Sequence, residues 1–289
     1  MTFFSTRFRP TLALVAVALS VVFGCKSAGE SLRHERDATR PHETLNATVW
    51  MQLSAEYRAA ATQAYNSALA HLPDAIADTS WSAIPGEKNV GSKPTAIIVD
   101  VDETVLDNSP FEARVIRADS AFNRPWWNAW VEERRATAVP GALRFLSAAA
   151  ERGVTIYYVT NRNVELDAAT TDNLDALGFP LTEGRDVVLT RGERPEWTGD
   201  KQTRRQFVAD EFRVLFLAGD DLNDFVSTDV VSSGEGDVVV ATHERNWGER
   251  WILLPNPAYG SWERTITSEA GARSRHDQIR AKVAALRDR

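Results

Sequence analysis

The sequence predicts an α/β fold: a parallel sheet with helices on both faces and a small helical part beside it. Short, almost wholly apolar runs such as Thr95 to Val101, Val154 to Val159 and Val214 to Ala218 alternate with stretches of helical periodicity. Strands without a polar side belong to sheets covered on both faces. Polar residues gather directly after three of these runs, where open parallel sheets bind ligands. The chain of 289 residues, 43% hydrophobic and 25% charged, is long enough to bury one large core and is ordinary for a globular protein. A formal net charge of -7 and the lack of a basic stripe argue against nucleic acid as a partner.

The elements follow in order. Arg7 and Arg9 precede an apolar run from Thr11 to Phe23, closed by Gly24-Cys25. That is the layout of a secretory signal, and the run is short for a membrane span of about 20 residues. Val22-Phe23-Gly24-Cys25 resembles the lipobox of bacterial lipoproteins. Residues 1–24 are therefore expected to be a signal peptide and Cys25 the lipidated residue, which implies export and anchoring to the cell envelope, with the outer membrane the expected site. Cys25 is the sole cysteine, so no internal disulfide is available. Residues 25–43 are polar and lack periodicity, as a tether would be. Residues 44–289 then form the folded domain.

Within it, Val49, Trp50, Leu53, Tyr57, Ala61, Tyr65 and Leu69 recur at helical spacing, which predicts one amphipathic helix over 45–72 ending at Pro73. Pro85-Gly86 and Gly91-Ser92 bracket a loop before the strand at Thr95 to Val101. A tryptophan-rich helix, Trp126 to Arg135, lies within a second helical stretch at about 120–140. A helix from Gly141 to Arg152 leads to the strand Val154 to Val159. The helix Val164 to Leu177 stops at Gly178. A short strand, Asp186 to Leu189, a helix, Asp200 to Phe212, and the strand Val214 to Ala218 complete the alternation.

Four polar clusters stand in chain order: Asp100-x-Asp102-x-Thr104, Thr160-Asn161-Arg162, Lys201, and Gly219-Asp220-Asp221-x-x-Asp224. Two carboxylates two residues apart at a strand end can converge on one reacting centre. They can then hold a divalent cation, attack an electrophile and handle a proton. Asp100 and Asp220 suit a hard, oxygen-liganded ion such as Mg²⁺. The five histidines show no ligand spacing for zinc.

The order and strand-end placement of these clusters resemble the haloacid dehalogenase (HAD) superfamily of phosphotransferases. More narrowly, DVDETVLDNSPF from Asp100, YVTNR from Tyr158, GDDLNDF from Gly219 and LPNPAYGSW from Leu254 resemble the bacterial class C acid phosphatases, including the lipoprotein 5′-nucleotidases. The resemblance spans roughly Leu45 to Glu263 and implies a HAD-like, Rossmannoid sheet. It implies an aspartyl-phosphate formed on Asp100, a metal held by Asp100, Asp220 and the backbone carbonyl of Asp102, and proton transfer by the Asp102 side chain. Thr160 and Asn161 would hold phosphoryl oxygens, Lys201 would neutralise their charge, and Asp224 would stand behind the metal ligands. Asp221 sits where many family members carry Asn and is given no firm role. Trp127, or its neighbour Trp126, and Tyr259 match aromatic residues that stack on a nucleotide base. Trp127 and Trp130 lie one helical turn apart, and aromatic residues so spaced more often serve a core.

The expectation is an exported, Mg²⁺-dependent phosphomonoesterase acting on a small phosphorylated molecule, nucleoside monophosphates above all, with a homo-oligomer compatible. Two rivals stand beside it: a broad-specificity acid phosphatase without nucleotide preference, and a non-catalytic surface lipoprotein on the same scaffold. The paired Asp100 and Asp102 weigh against the second, since a scaffold needs no nucleophile.

Overall fold

The structure, a computed structural model, describes residues 42–88, 90–232 and 234–288. Cys25, the expected 1–24 signal and nearly all of the expected 25–43 tether lie outside them. The described chain opens with two helices, α1 (Leu45–Leu53) and α2 (Ala55–Ala77). The sequence reading joins them into one helix over 45–72; Ser54 separates them instead. Its backbone is extended, and its hydroxyl accepts the Tyr57 N–H at 3.0 Å, capping the second helix. Pro73 lies inside α2 and not after it. The buried stripe Tyr57, Ala61, Tyr65, Ala68, Leu72 and Ala75 runs past the proline, so tertiary packing holds the helix where propensity would end it.

There follow β1 (Thr95–Val99), β2 (Leu106–Asp107), α3 (Ser109–Arg117), α4 (Arg124–Glu132), β3 (Thr137–Ala138), α5 (Ala142–Ala150) and β4 (Thr155–Asn163). Then come α6 (Asp167–Ala176), β5 (Val188–Arg191), α7 (Gln202–Glu211), β6 (Arg213–Gly219), α8 (Thr228–Ser232), α9 (Gly236–Thr242), β7 (Trp251–Leu253), α10 (Ser261–Glu269) and α11 (Arg275–Ala285). The main sheet has the order β5-β4-β1-β6-β7, and every pairing is parallel. From β1 the chain works outward through β4 to β5, then returns to the other side of β1 for β6 and β7. The reversal leaves a crevice beyond the carboxyl ends of β1 and β6.

All seven residues of β6 are buried, as are four of the five in β1. The core is built around Ile97, Val99, Phe216 and Leu217 with Tyr65 and Phe145 from α2 and α5. Helix α7 packs on β4 and β6, and α6 on β5.

Several boundaries move. β1 stops at Val99 because the Val105 and Leu106 N–H groups fold back onto the Val101 carbonyl in a tight loop. β4 runs on to Asn163, which pairs with Arg191 after a register irregularity. The segment at Val164 begins as a 3₁₀ turn before α6 proper. The antiparallel β2–β3 ribbon and the edge strand β7 are too short to carry a period, and the two C-terminal helices also escape the sequence reading. Among the described residues, no helix is long and apolar enough to cross a membrane.

Candidate active site

Val99 pairs with Ala218, so Asp100 leaves β1 opposite Gly219 and Asp220 follows one residue further on at the end of the adjacent strand. The Asp100 N–H continues the ladder onto the Ala218 carbonyl at 2.9 Å. A 3₁₀ turn, Leu222–Asp224, brings Asp224 back toward them. Carboxylate oxygens of Asp100, Asp220 and Asp224 all lie within 4.8 Å of one another. Gly219 is what permits this, since a Cβ there would stand 2.3 Å from the Asp224 Cβ. Lys201, just before α7, donates from Nζ to Asp224 Oδ1 at 2.6 Å and also to Asp100 Oδ1.

The ammonium therefore pairs with two of the three carboxylates. Burial pushes the Asp100 carboxyl up to about 7; Lys201 opposes the rise, and repulsion from Asp224 and Asp102 adds to it. Burial, then the charges of Asp100 and Asp224, hold Asp220 well above the usual carboxylate range. Burial disfavours the Lys201 charge, but Asp100 and Asp224 outweigh it and carry the ammonium above its ordinary value. A cluster of hard oxygen donors short of positive charge fits a divalent cation such as Mg²⁺. The Thr104 hydroxyl stands 3.3 Å from Asp100 Oδ2 and 3.2 Å from Asp220 Oδ1, with one hydrogen for the two. Asn256 Nδ2 donates to Asp220 Oδ2 at 2.8 Å.

Asp102 lies on the same loop, its side chain paired with Arg162. At the end of β4, Thr160 Oγ1 accepts the Arg162 N–H at 3.0 Å, so its own hydrogen is left to donate. The Asn161 amide is engaged on both sides, giving Nδ2–H to the Gly199 carbonyl at 2.9 Å and accepting Arg204 Nη2 at 2.7 Å. What it can still offer is its second Nδ2 hydrogen. Arg204 also donates to the Thr160 and Thr198 carbonyls, tying the end of β4 to the loop that presents Lys201.

The aromatic residues divide. Trp127 is 9% exposed, packed edge-on against Phe111 with the Arg162 guanidinium over its ring at 5.6 Å. Trp130 is buried and donates Nε1–H to Asn108 Oδ1 at 2.8 Å. Trp126 is the exposed member, at 45%. The half-buried Tyr259 packs beside Met51 and Tyr57 and donates its hydroxyl to Glu103.

Glu103 is fully buried with φ at 58°, a left-handed conformation that strains a non-glycine residue. It also accepts the Asn108 N–H at 2.8 Å. Burial, with Asp102 and Asp220 close by, raises its pKa well above the ordinary value. Asp221 turns away from the cluster: Oδ1 accepts the Asn223 N–H at 3.0 Å and Oδ2 the Ser261 N–H at 2.5 Å, which fastens the start of α10.

The sequence reading singles out Asp100, Asp102, Thr160, Lys201, Asp220 and Asp224, and all of these gather at the carboxyl ends of β1, β4 and β6 and the start of α7. It gives no role to Glu103, Asn108, Arg204 or Asn256, nor to Arg162, although Arg162 closes one of its four polar clusters. Strand alternation, which puts 160 and 162 on one side, was the available signal for Arg162.

A family model described as HAD superfamily, subfamily IIIB (acid phosphatase), matches residues 24–262. The class C acid phosphatase from Bacillus anthracis is 30% identical, with a TM-score of 0.75 over 86% of this chain and 98% of that one. The same phosphatase with tungstate bound gives 0.74 at the same identity and coverage. Acid phosphatase 1 of Solanum lycopersicum is 24% identical over 165 residues, 56% of this chain and 57% of that protein. The stem 31 kDa glycoprotein of Glycine max is 23% identical over 163 residues, 56% and 58% of the two. The chain thus spans a little over half the length of the curated relatives it matches.

Proposed function

The chain belongs to subfamily IIIB of the HAD superfamily, the acid phosphatases, and from that membership we propose that it is an exported, divalent-metal-dependent phosphomonoesterase. The observation that carries this reading is the cluster of Asp100, Asp220 and Asp224, with Lys201 paired to the first and the last, beyond the carboxyl ends of two adjacent parallel strands. A phosphate monoester is a dianion, and a carboxylate nucleophile can approach it only where positive charge is supplied. Asp100, Asp220 and the Asp102 carbonyl would hold a divalent cation such as Mg²⁺, which would supply that charge, and Asp224 stands behind them holding Lys201 and the Asp221 N–H.

An Asp100 oxygen attacks phosphorus, and the bond from phosphorus to the ester oxygen breaks. Asp102 gives that oxygen a proton, a contribution worth about 10² to 10⁴ in rate. Water then attacks the aspartyl-phosphate, losing its proton to Asp102 as the bond to Asp100 breaks. Thr160 donates its free hydroxyl hydrogen to a phosphoryl oxygen, Asn161 a hydrogen of Nδ2, and Lys201 balances the charge spread over the transferring group. The tungstate held by the B. anthracis phosphatase is a tetrahedral oxyanion of phosphate's shape, which favours the same use of this crevice.

The substrate class follows from what surrounds the leaving group. Tyr259, with the exposed Trp126 or the packed Trp127, supplies aromatic surface for a nucleoside monophosphate. The lipobox-like segment at Cys25 makes this a lipid-anchored enzyme of the bacterial cell envelope, with the outer membrane its expected site. Phosphate release measured across nucleoside monophosphates, sugar phosphates and an aryl phosphate, with Mg²⁺ and after chelation, tests the reading. Metal-dependent release is expected; full activity after exhaustive chelation would contradict it.

A further inference from the structure

Arg162 has no part in the steps above, yet its guanidinium is engaged at every nitrogen. Its side chain is 1% exposed. Nε and Nη2 both donate to one oxygen, Asp102 Oδ1, at 3.0 and 2.8 Å. Asn108 Nδ2 donates to that same oxygen at 2.8 Å. No hydrogen bond from a described residue reaches Asp102 Oδ2, although the Asp102 side chain is 19% exposed.

An arginine that serves only as an ion-pair partner commonly spreads its fork over both carboxylate oxygens. Here three donors crowd one and leave the other clear. The guanidinium is itself fixed from three sides. Nη1 donates to Thr170 Oγ1 at 3.2 Å, Trp127 lies against its face, and Nη2 sits 3.4 Å from the Asn108 Oδ1 that Trp130 also engages. Burying so much donor capacity is costly unless the partners are held still. The elements that hold it are α4, which carries the tryptophans, and α6.

We propose that Arg162 is a positioning residue: with Asn108 it fixes Asp102 by Oδ1 and presents Oδ2 to the leaving-group oxygen. The proposal rests on the phosphomonoesterase reading. In the first step the Oδ2–H bond breaks as the leaving oxygen takes the proton and separates from phosphorus. In the second, water returns a proton to Oδ2 as the phosphorus bond to Asp100 breaks. Arg162 exchanges no proton. Trp127 is then packed so deeply because its ring steadies the guanidinium, and base stacking falls to Tyr259 and Trp126.

The test compares the first turnover of 4-nitrophenyl phosphate, whose phenolate departs without a proton, with that of adenosine 5′-monophosphate, whose alkoxide needs one. First-turnover rates are used because the second step passes through the same oxygen for both substrates. Arg162→Gln is expected to slow the nucleotide about 10- to 100-fold, part of what general acid help supplies, and the aryl ester by less than about 3-fold. Arg162→Lys, which keeps one donor and the charge, should recover part of the nucleotide rate. It also carries the test alone if the glutamine variant does not melt cooperatively. Equal losses on both substrates, or no loss on either, would overturn the proposal. A wild-type protein that turns over neither ester with Mg²⁺ would instead sink the phosphomonoesterase reading.

Discussion

With no divalent cation bound, the protein should lose stability as the pH rises from about 4 to about 7. A free aspartyl carboxyl titrates at 3.8, whereas Asp100 in the folded chain is raised to about 7, first by burial and then by its acidic neighbours. Between those values the folded state keeps a proton that the unfolded state has released. The unfolding free energy therefore falls as pH increases through the window, and the loss is complete above the folded value. A gap of about three units at 1.36 kcal/mol each amounts to at most about 4 kcal/mol. In a domain of this size each kcal/mol moves Tm by about 2–4 °C, so the fall could reach about 8–16 °C. Asp220 is displaced in the same direction. Mg²⁺ at a hundredfold excess over its Kd should return about 2.7 kcal/mol, chiefly at the upper end where the carboxylates are ionised. Scanning calorimetry from pH 4 to 7.5, with chelator and with Mg²⁺, measures this for the wild type and for Asp100→Asn, which keeps the shape but cannot titrate. A metal-free wild type whose Tm is flat or rising across the window, or an Asp100→Asn slope equal to the wild type's, would refute the reasoning.

Other outcomes follow from particular residues. Gly219→Ala places a Cβ 2.3 Å from that of Asp224; the overpacking should cost about 1–3 kcal/mol and weaken metal retention, read as a lower Tm and easier loss of activity to chelator. Tyr259→Ala should lower kcat/KM for nucleoside monophosphates by a factor of roughly 5 to 150, the worth of stacking one base, while sparing a small alkyl phosphate. Equal losses on both would make Tyr259 structural and favour the broad-specificity reading. Cys25→Ser should shift the protein from the membrane fraction to the soluble one with catalysis intact, since several acyl chains hold a protein where one does not; a native mature N-terminus at any other residue would end that idea.

The sheet was legible because buried parallel strands have no polar side. The Ile97–Val99 and Val214–Ala218 runs carry that signature whatever lies around them. The acidic centre was legible for a related reason, as Asp100 and Asp220 stand where such runs break off. Element ends were less so: Ser54 and Pro73 have ordinary local meanings that tertiary packing reassigns, the serine to a cap in mid-pattern and the proline to a helix interior. Short pieces such as β7 give no period to count. The residues that hold the site were hardest to see. Glu103 reads as one more acid in a charged stretch, yet it is fully buried between Asn108 and Tyr259. Arg204 reads as one more base in a charged helix, yet it ties the end of β4 to the loop that presents Lys201. Each has a partner far along the chain, Tyr259 for Glu103 and Thr160 for Arg204, and hydrophobic spacing does not record partners.

The most direct measurement is to trap the enzyme on its substrate. Protein mixed with Mg²⁺ and a nucleoside monophosphate, stopped within the first turnover and treated with borohydride, should carry a side chain reduced to the alcohol at position 100. That is the product expected from an acyl phosphate. The mark should be absent without substrate, and Asp100→Asn should release no phosphate above background. Reduction at another carboxylate, or phosphate release by Asp100→Asn at the wild-type rate, would contradict the assignment of Asp100 as the nucleophile.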